Sequence, residues 1–302
     1  MTVNRYCIVC GKTETKTWFR PASSPGPVVE CQTCGFVYVN PIESLQALIQ
    51  DGPVLAGGDS PERQSSDLND LKGRWEEPIM QEYLRELGPR RENARDVLAR
   101  LEKYKPSRGR ILDVGCFCGV LLGVAKERGW EPQGVEPLVG PAIYARGTFG
   151  VPVVNDVLRT EAFAPDSFEV VTAFQVFEHL IHPEQEIEKL RPLLKPGGLL
   201  VIEVPNIATL LVNILRSRHR HFVQDHVSFF SAQTLSRLLE SKGFSVREVY
   251  YPTRTLSLRH GLWWLGKLGI PTGKLQAAWP TNLLERSVRV GLRDIVAVIA
   301  MK

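Results

Sequence analysis

Cysteine pairs at Cys7-Ile8-Val9-Cys10 and Cys31-Gln32-Thr33-Cys34 are spaced as two clamps, each offering two sulfurs from one turn. Two such pairs about twenty residues apart suit a tetrahedral tetrathiolate zinc site. Gly11 and Gly35 follow the pairs, where a knuckle turn needs positive φ. Two disulfides or four separate thiols are the alternatives. Both are weak, because no signal peptide precedes the cysteines and a cytoplasmic chain keeps its thiols reduced. Residues 1–42 therefore read as a metal-held ribbon with a core separate from the rest. A ribbon this small is an accessory, and the main chemistry must lie further on.

A second set of residues begins at Ile111-Leu112-Asp113-Val114-Gly115-Cys116-Phe117-Cys118-Gly119, a strand running into a glycine turn and a helix. Ligands of open α/β sheets bind beyond such strand ends. A dinucleotide fingerprint would place glycines at 117 and 120, but Phe117 and Val120 stand there. A ligand without phosphate, with an adenosine and an amino-acid tail, fits better. Asp113 could bind an ammonium group, directly or through water. Glu136, ending Gly134-Val135-Glu136, can accept from both hydroxyls of a ribose. Asp156 could take an adenine amino group or cap a turn. Gln175 follows the next strand. Successive strand ends thus carry polar groups suited to one nucleoside. Cys116 and Cys118 read as small, buried, reduced residues in the same loop.

The elements that position these groups alternate. Residues 50–73 are rich in Gly, Pro, Ser and Asp and read, with 43–49, as a linker. A helical pattern from Trp75 to Tyr104 breaks near Gly88-Pro89. Strands are expected at Arg110–Val114, Glu131–Glu136, Val151–Val154, Glu169–Phe174, Leu199–Val204, Phe244–Tyr251 and Ile295–Met301. Helices are expected at Val120–Arg128, Pro141–Gly147, Glu184–Leu194 and Gln233–Lys242. The alternation predicts an α/β fold with a mostly parallel sheet covered on both faces. At 302 residues, 43% hydrophobic and 23% charged, the composition is that of a globular protein. No apolar run reaches the length of a membrane span. The formal charge of +4 would become about +2 with four thiolates and one zinc (−4 + 2), which does not indicate a general polyanion binder.

ILDVGCFCG, GVEP, NDV, FQVFEHL, LLKPGGLLVIEVPN and DHVSFFSAQTLSRLLESKGF, in this order, resemble a class I S-adenosylmethionine-dependent methyltransferase over roughly residues 75–251 plus the closing strand. The ribbon ending in CGFVYVNP is similar to that of a bacterial subgroup associated with sugar, surface-polysaccharide or natural-product modification. The resemblance implies a Rossmann-like seven-stranded sheet over 74–302. It implies that Asp113, Gly115 and Gly119, with Cys116 in the same loop, hold the methionine portion, Glu136 the ribose, Asp156 the adenine, and that Gln175 lines the pocket near the sulfonium. Phe117 departs from the family's usual middle glycine. The stretch 252–291 exceeds the short hairpin usual there and reads as an insertion: a lid, a contact in a homo-oligomer, or a membrane contact.

Methyl transfer from a sulfonium is an in-line displacement that needs alignment and exclusion of water. An oxygen or carbon acceptor also needs a base, and histidine suits that role. His226, in Gln224-Asp225-His226-Val227-Ser228, and His179, in Phe177-Glu178-His179-Leu180, are the candidates. Each could instead be structural, with Asp225 orienting His226 or capping a turn. The basic run Arg216-Ser217-Arg218-His219-Arg220-His221 is a solvated loop, a phosphate clamp or an RNA contact. Leu262–Leu268 is apolar with basic edges, which suits a helical lid or a dimer contact. These residues together predict a cytoplasmic enzyme methylating oxygen or carbon of a small-molecule or glycan acceptor. An RNA methyltransferase and an inactive nucleoside-binding scaffold are the alternatives.

Overall fold

The computed structural model describes residues 4–21, 24–42, 79–267, 271–273 and 278–302. The expected linker 43–73, the start of the helix expected from Trp75, and Leu268 lie outside the described residues.

Strands β1 (Thr15–Phe19), β2 (Val28–Cys31) and β3 (Val37–Val39) form an antiparallel ribbon near the N-terminus. After a helical stretch over 79–85, the chain continues through α1 (Leu87–Tyr104), β4 (Arg110–Val114), α2 (Val120–Glu127), β5 (Glu131–Val135), α3 (Val139–Phe149), β6 (Val153–Val154), β7 (Phe168–Phe174), α4 (Pro183–Leu193) and β8 (Leu194–Pro205). Then come α5 (Leu210–Leu215), β9 (Ser228–Phe229), α6 (Ala232–Ser241), β10 (Ser245–Tyr250), β11 (Arg254–Ser257), α7 (Leu258–Lys267), α8 (Thr281–Leu284), β12 (Ser287–Val290) and β13 (Ile295–Met301).

The main sheet has seven strands in the order β10-β13-β8-β7-β4-β5-β6. The β6-β5-β4-β7-β8 run is parallel, and β13 runs antiparallel between β8 and β10. Strands β4 and β7, buried on both faces, read as apolar runs because helices cover each side. Leu98, Leu101, Leu121 and Val124 of α1 and α2 pack on one face against Ile111, Val170 and Ile299. Ile187, Leu190, Leu235 and Leu238 of α4 and α6 pack on the other against Leu112, Val171 and Val298.

Three local readings shift. The break in the long helical pattern falls at Glu86, and Gly88-Pro89 lies inside the first turn of α1, where a proline costs no helical hydrogen bond. The strand expected from Val151 shortens to Val153–Val154. The helix expected to reach Leu194 stops at Leu193, and the strand expected from Leu199 already begins at Leu194, opposite Phe168. The insertion folds as a β11–β12 hairpin around α7 and α8 and docks on α1. Asn93 exchanges both amide bonds with the Thr255 backbone, at 2.8 and 2.9 Å.

The expectation of a separate ribbon core does not hold. Strand β9 is the fourth strand of the ribbon sheet, with Val37 opposite Phe229 and Tyr38 opposite Ser228. Cys7, Val29, Cys31, Phe36 and Tyr38 belong to one apolar cluster with Phe177, Phe230 and Leu235 of the main body. Phe36 stacks on Tyr38 and tilts against Phe230, with centroids 5.4 and 5.2 Å apart.

Candidate functional site

The turn after β4 is tied to β5. The amides of Gly115 and Cys116 both donate to the Val135 carbonyl, at 2.8 and 3.1 Å. Gly115 has φ 73°, and a Cβ there would stand 2.5 Å from Val176 Cγ2. Glycine therefore lets the β4 turn touch the segment that follows β7. Gly119 has φ 70°, and its missing Cβ also admits Ala145 of α3, whose Cβ would stand 2.6 Å away. Cys116 serves the core. Its side chain lies with Leu122, Ala142 and Val153, and a Cβ on Gly134 would be 2.6 Å from its sulfur.

Phe117 keeps the backbone shape for which glycine is usual, φ 46°, at about 1–2 kcal/mol for an L-residue. Its amide donates to Glu136 Oε2 at 2.8 Å, and its ring meets Tyr83 edge-on with centroids 4.7 Å apart. The Arg90 guanidinium lies 3.7 Å from the Tyr83 centroid. Tyr83 and Arg90 carry no sequence motif and were not expected near this turn.

Glu136 is 3% exposed. Besides Phe117, the Leu138 amide donates to its Oε1 at 2.8 Å. A carboxylate offers about four lone-pair sites, which lets one side chain hold several donors at once. Asp113 accepts from Thr172 Oγ1 at 2.6 Å. Burial, with a smaller push from Glu136, raises its pKa to about 7. An ammonium group arriving there would draw the carboxyl back to its charged form. Asp156 is a turn cap here: its carboxylate accepts from the Val157 amide and from Arg159 Nε, each at 2.8 Å. Gln175, at φ 56°, donates from Nε2 to Glu203 Oε1 at 3.2 Å. Arg254 of the insertion pairs with the same Glu203.

Beyond Gln175 the chain enters a single 3-10 turn, Phe177–His179. There Glu178, His179 and His226 bring one ligating atom each within 4.8 Å of one another. Spacing hides this meeting, because 47 positions separate His179 from His226 and only the fold joins them. Such a trio can share a proton or hold a small cation. Burial pushes the Glu178 carboxyl well up, and neither of its oxygens has a partner among the described residues. Burial, then the neighbouring His179, lowers His226 to about 4; burial also lowers His179. All three groups are thus held toward their neutral forms. His226 Nδ1 faces the His221 carbonyl at 2.9 Å, and His179 Nδ1 the Asp225 carbonyl at 3.1 Å. A carbonyl can only accept, so each ring carries its proton on Nδ1 and its lone pair on Nε2.

The basic run 216–221 does not form a stripe. His219 and His221 are buried, His221 Nε2 meets the Asp294 carbonyl at 3.0 Å, and Arg220 pairs with the Asp294 side chain. Arg216 and Arg218 stay exposed. The two histidines are withdrawn from the surface of the run, while its three arginines, Arg220 included, stay exposed.

At the ribbon, the Gly11 and Gly35 amides donate to the Cys7 and Cys31 carbonyls at 2.7 and 2.9 Å, with φ 73° and 75°. These are two knuckle turns. The Cys7–Cys34 and Cys10–Cys31 sulfurs lie 3.4 and 3.5 Å apart. That is far beyond a disulfide, about 2.05 Å, and close to sulfurs sharing one zinc at about 2.3 Å each. The four cysteines fit a tetrahedral metal.

A seven-stranded sheet of this order, with a glycine turn after β4 and acids at successive strand ends, defines a class I methyltransferase. The chain belongs to the family described as the methyltransferase domain, which matches residues 81–249, and is an S-adenosylmethionine-dependent methyltransferase. A ubiquinone biosynthesis O-methyltransferase of Azoarcus sp. (strain BH72) is 29% identical over 198 residues, 59% of this chain and 81% of that one. One of Saccharophagus degradans (strain 2-40 / ATCC 43961 / DSM 17024) is 33% identical over 143 residues, 45% of this chain and 56% of that one. Among solved structures, an S-adenosylmethionine-dependent methyltransferase of Archaeoglobus fulgidus is 22% identical with a TM-score of 0.46, covering 70% of this chain and 94% of that one. Among the described residues no helix is long and apolar enough to cross a membrane.

Proposed function

We propose that the chain methylates an acidic hydroxyl, a phenol or enol, of a small-molecule acceptor, with His226 as the base and His179 as its neighbour. The observation that carries this is the tautomer. Both imidazoles have Nδ1 on a backbone carbonyl, which leaves Nε2 as the lone-pair nitrogen, and His179 lies three positions after Val176, which meets the donor turn at Gly115. A ring lowered to about 4 is a weak base. It can deprotonate a phenol or enol as the methyl moves far more readily than it can an aliphatic alcohol. The O-methyltransferase relatives support an oxygen acceptor.

In this reading Asp113 and the Gly115 turn hold the amino-acid end of the donor, Glu136 its ribose, and Asp156 and Gln175 lie at its edges. When bound, S-adenosylmethionine supplies the electrophilic methyl group. His226 Nε2 takes the acceptor's proton, while the Asp225 carboxylate, 3.3 Å from His179 Nδ1, favours the positive charge that develops on the imidazole pair. Tyr83, Phe117 and Arg90 cover the turn and exclude water. Cys7, Cys10, Cys31 and Cys34 hold a structural zinc.

Mass detection of S-adenosylhomocysteine tests the proposal, with catechols, simple sugars and sugar nucleotides offered in parallel. Turnover confined to catechols or enols, and lost in His226→Asn, is the expected result. Full turnover after replacing both His226 and His179 would overturn the base and leave alignment alone as the source of rate.

A further inference from the structure

Arg5 is 5% exposed, and its guanidinium reaches across the boundary between ribbon and main body. Nη1 donates to the Val227 carbonyl at 2.7 Å and more loosely to the Val39 carbonyl of β3 at 3.4 Å. Nη2 donates to the Ile181 carbonyl at 2.7 Å and to Ser228 Oγ at 2.9 Å. The main-chain amide of Arg5 is fixed by Asn40 Oδ1 at 2.7 Å, and the guanidinium lies 5.3 Å from the Tyr38 ring centroid.

The partners on the main body are not arbitrary. Ile181 is two positions after His179, and Val227 directly follows His226. The same two segments are laced together elsewhere: the Val227 amide donates to the Glu178 carbonyl, and Ser228 Oγ donates to the Leu180 carbonyl, each at 2.9 Å. One planar cation, with donors in a fixed fork, thus spans both segments and ties them to the ribbon. A buried guanidinium bonded to neutral carbonyls is a costly way to fill space, since an apolar side chain would lose no hydration there. The geometry of the fork is what the arrangement gains.

Building on the base assignment above, we propose that Arg5 is a positioning residue: it holds the His179 and His226 segments in register, so that the ribbon sets the spacing of the acceptor-side imidazoles. The cysteine knuckles make the ribbon a stiff frame, because Cys7 lies two positions from Arg5 and Cys34 three from Val37 of β3. Lysine, a point donor on a flexible stem, can meet one or two of these carbonyls but not the whole set.

The test uses the full zinc-loaded chain and the variants Arg5→Lys, Arg5→Met and Ser228→Ala. Imidazole ¹⁵N resonances of His179 and His226, assigned with single His→Asn variants, report ring placement without any acceptor present. Zinc content and calorimetric affinity for S-adenosylhomocysteine are measured alongside, and turnover is followed with a catechol probe. The expected result is displaced signals for both rings in Arg5→Met, partial return in Arg5→Lys and a smaller displacement in Ser228→Ala. Zinc should be retained, and affinity for S-adenosylhomocysteine should stay within about twofold. Turnover should fall about 10–100-fold with KM little changed, as expected for misplacement of a reacting group. Unmoved ring signals in Arg5→Met would overturn the proposal. So would loss of zinc and of affinity in both Arg5→Met and Ser228→Ala, which would make the contact a general structural prop. Displaced rings with undiminished catechol turnover would discard the histidine base and keep the clamp.

Discussion

The imidazoles of His179 and His226 meet edge to face with centroids 4.7 Å apart, although they enter the site on different segments. Two neutral rings at this distance cannot both protonate cheaply, so the pair resists charging as the solution is acidified. His226→Asn keeps a side-chain donor for the His221 carbonyl but removes the Nε2 lone pair. Turnover should fall about 10²–10⁴-fold, with affinity for S-adenosylhomocysteine unchanged by calorimetry.

Stability should depend on pH through groups of opposite sign. Burial lowers His226 and His219 to about 4, below the unfolded value of about 6.5. Across that window the unfolded chain binds more protons, so stability is lost as the pH falls from about 6.5 toward 4. Asp113, raised to about 7, acts the other way: its contribution is present in acid and is lost as the pH rises from about 4 through 7. Urea titrations at several pH values should show a flatter acid limb in His226→Asn. In Asp113→Asn the loss between about pH 4 and 7 should shrink, each change being about 1–3 kcal/mol.

Glu136→Gln should weaken donor binding by more than the loss of one ribose contact. The carboxylate also holds the Phe117 and Leu138 amides, and an amide can accept on one side only. A loss of about 1.5–3 kcal/mol per charge-assisted bond predicts at least a tenfold fall in affinity. Calorimetry with S-adenosylmethionine checks it; unchanged affinity would place the donor elsewhere.

Cys31→Ser should release zinc and lower the melting temperature of the whole chain in a single transition. The ribbon shares its apolar cluster with Phe177, Phe230 and Leu235, so it cannot loosen alone. Metal analysis and scanning calorimetry give the test. Two separated transitions would mean that the ribbon folds as its own unit.

Two glycines should respond to alanine with opposite signs. Gly119→Ala adds a Cβ 2.6 Å from the Ala145 Cβ at φ 70°, and should cost about 1–3 kcal/mol. Gly147 lies in α3 with nothing within 4 Å of an added Cβ. There alanine should stabilise by about 0.4–1 kcal/mol. Denaturant midpoints decide both.

Much of the sheet could be read from the sequence because its signals are local. The apolar run Ile295–Met301 coincides with β13 residue for residue, and the cysteine pairs announce their knuckles. Glu136 stood out because a carboxylate at a strand end is a one-dimensional pattern, and the structure shows it buried there. The assignment of Ser228 and Phe229 to the ribbon sheet, the meeting of Glu178 with two histidines, and the reach of Arg5 depend on pairings across the fold. Periodicity carries no trace of them. The basic run 216–221 left its alternatives open for a related reason: nothing in the run itself shows that His219 and His221 are buried while its arginines stay exposed.

The pairing of β3 with β9 also bears on how the chain is made. Val37 must wait for Phe229, roughly 190 residues later, or about 10–40 s of synthesis at bacterial or eukaryotic rates. Until then β3 presents an open hydrogen-bonding edge with Val37 and Val39 beside it, the kind of surface that recruits strands from other chains. Early metal capture by the cysteines would shorten that exposure. A nascent chain starved of zinc should therefore aggregate during synthesis, well before its catalytic half exists to be assayed.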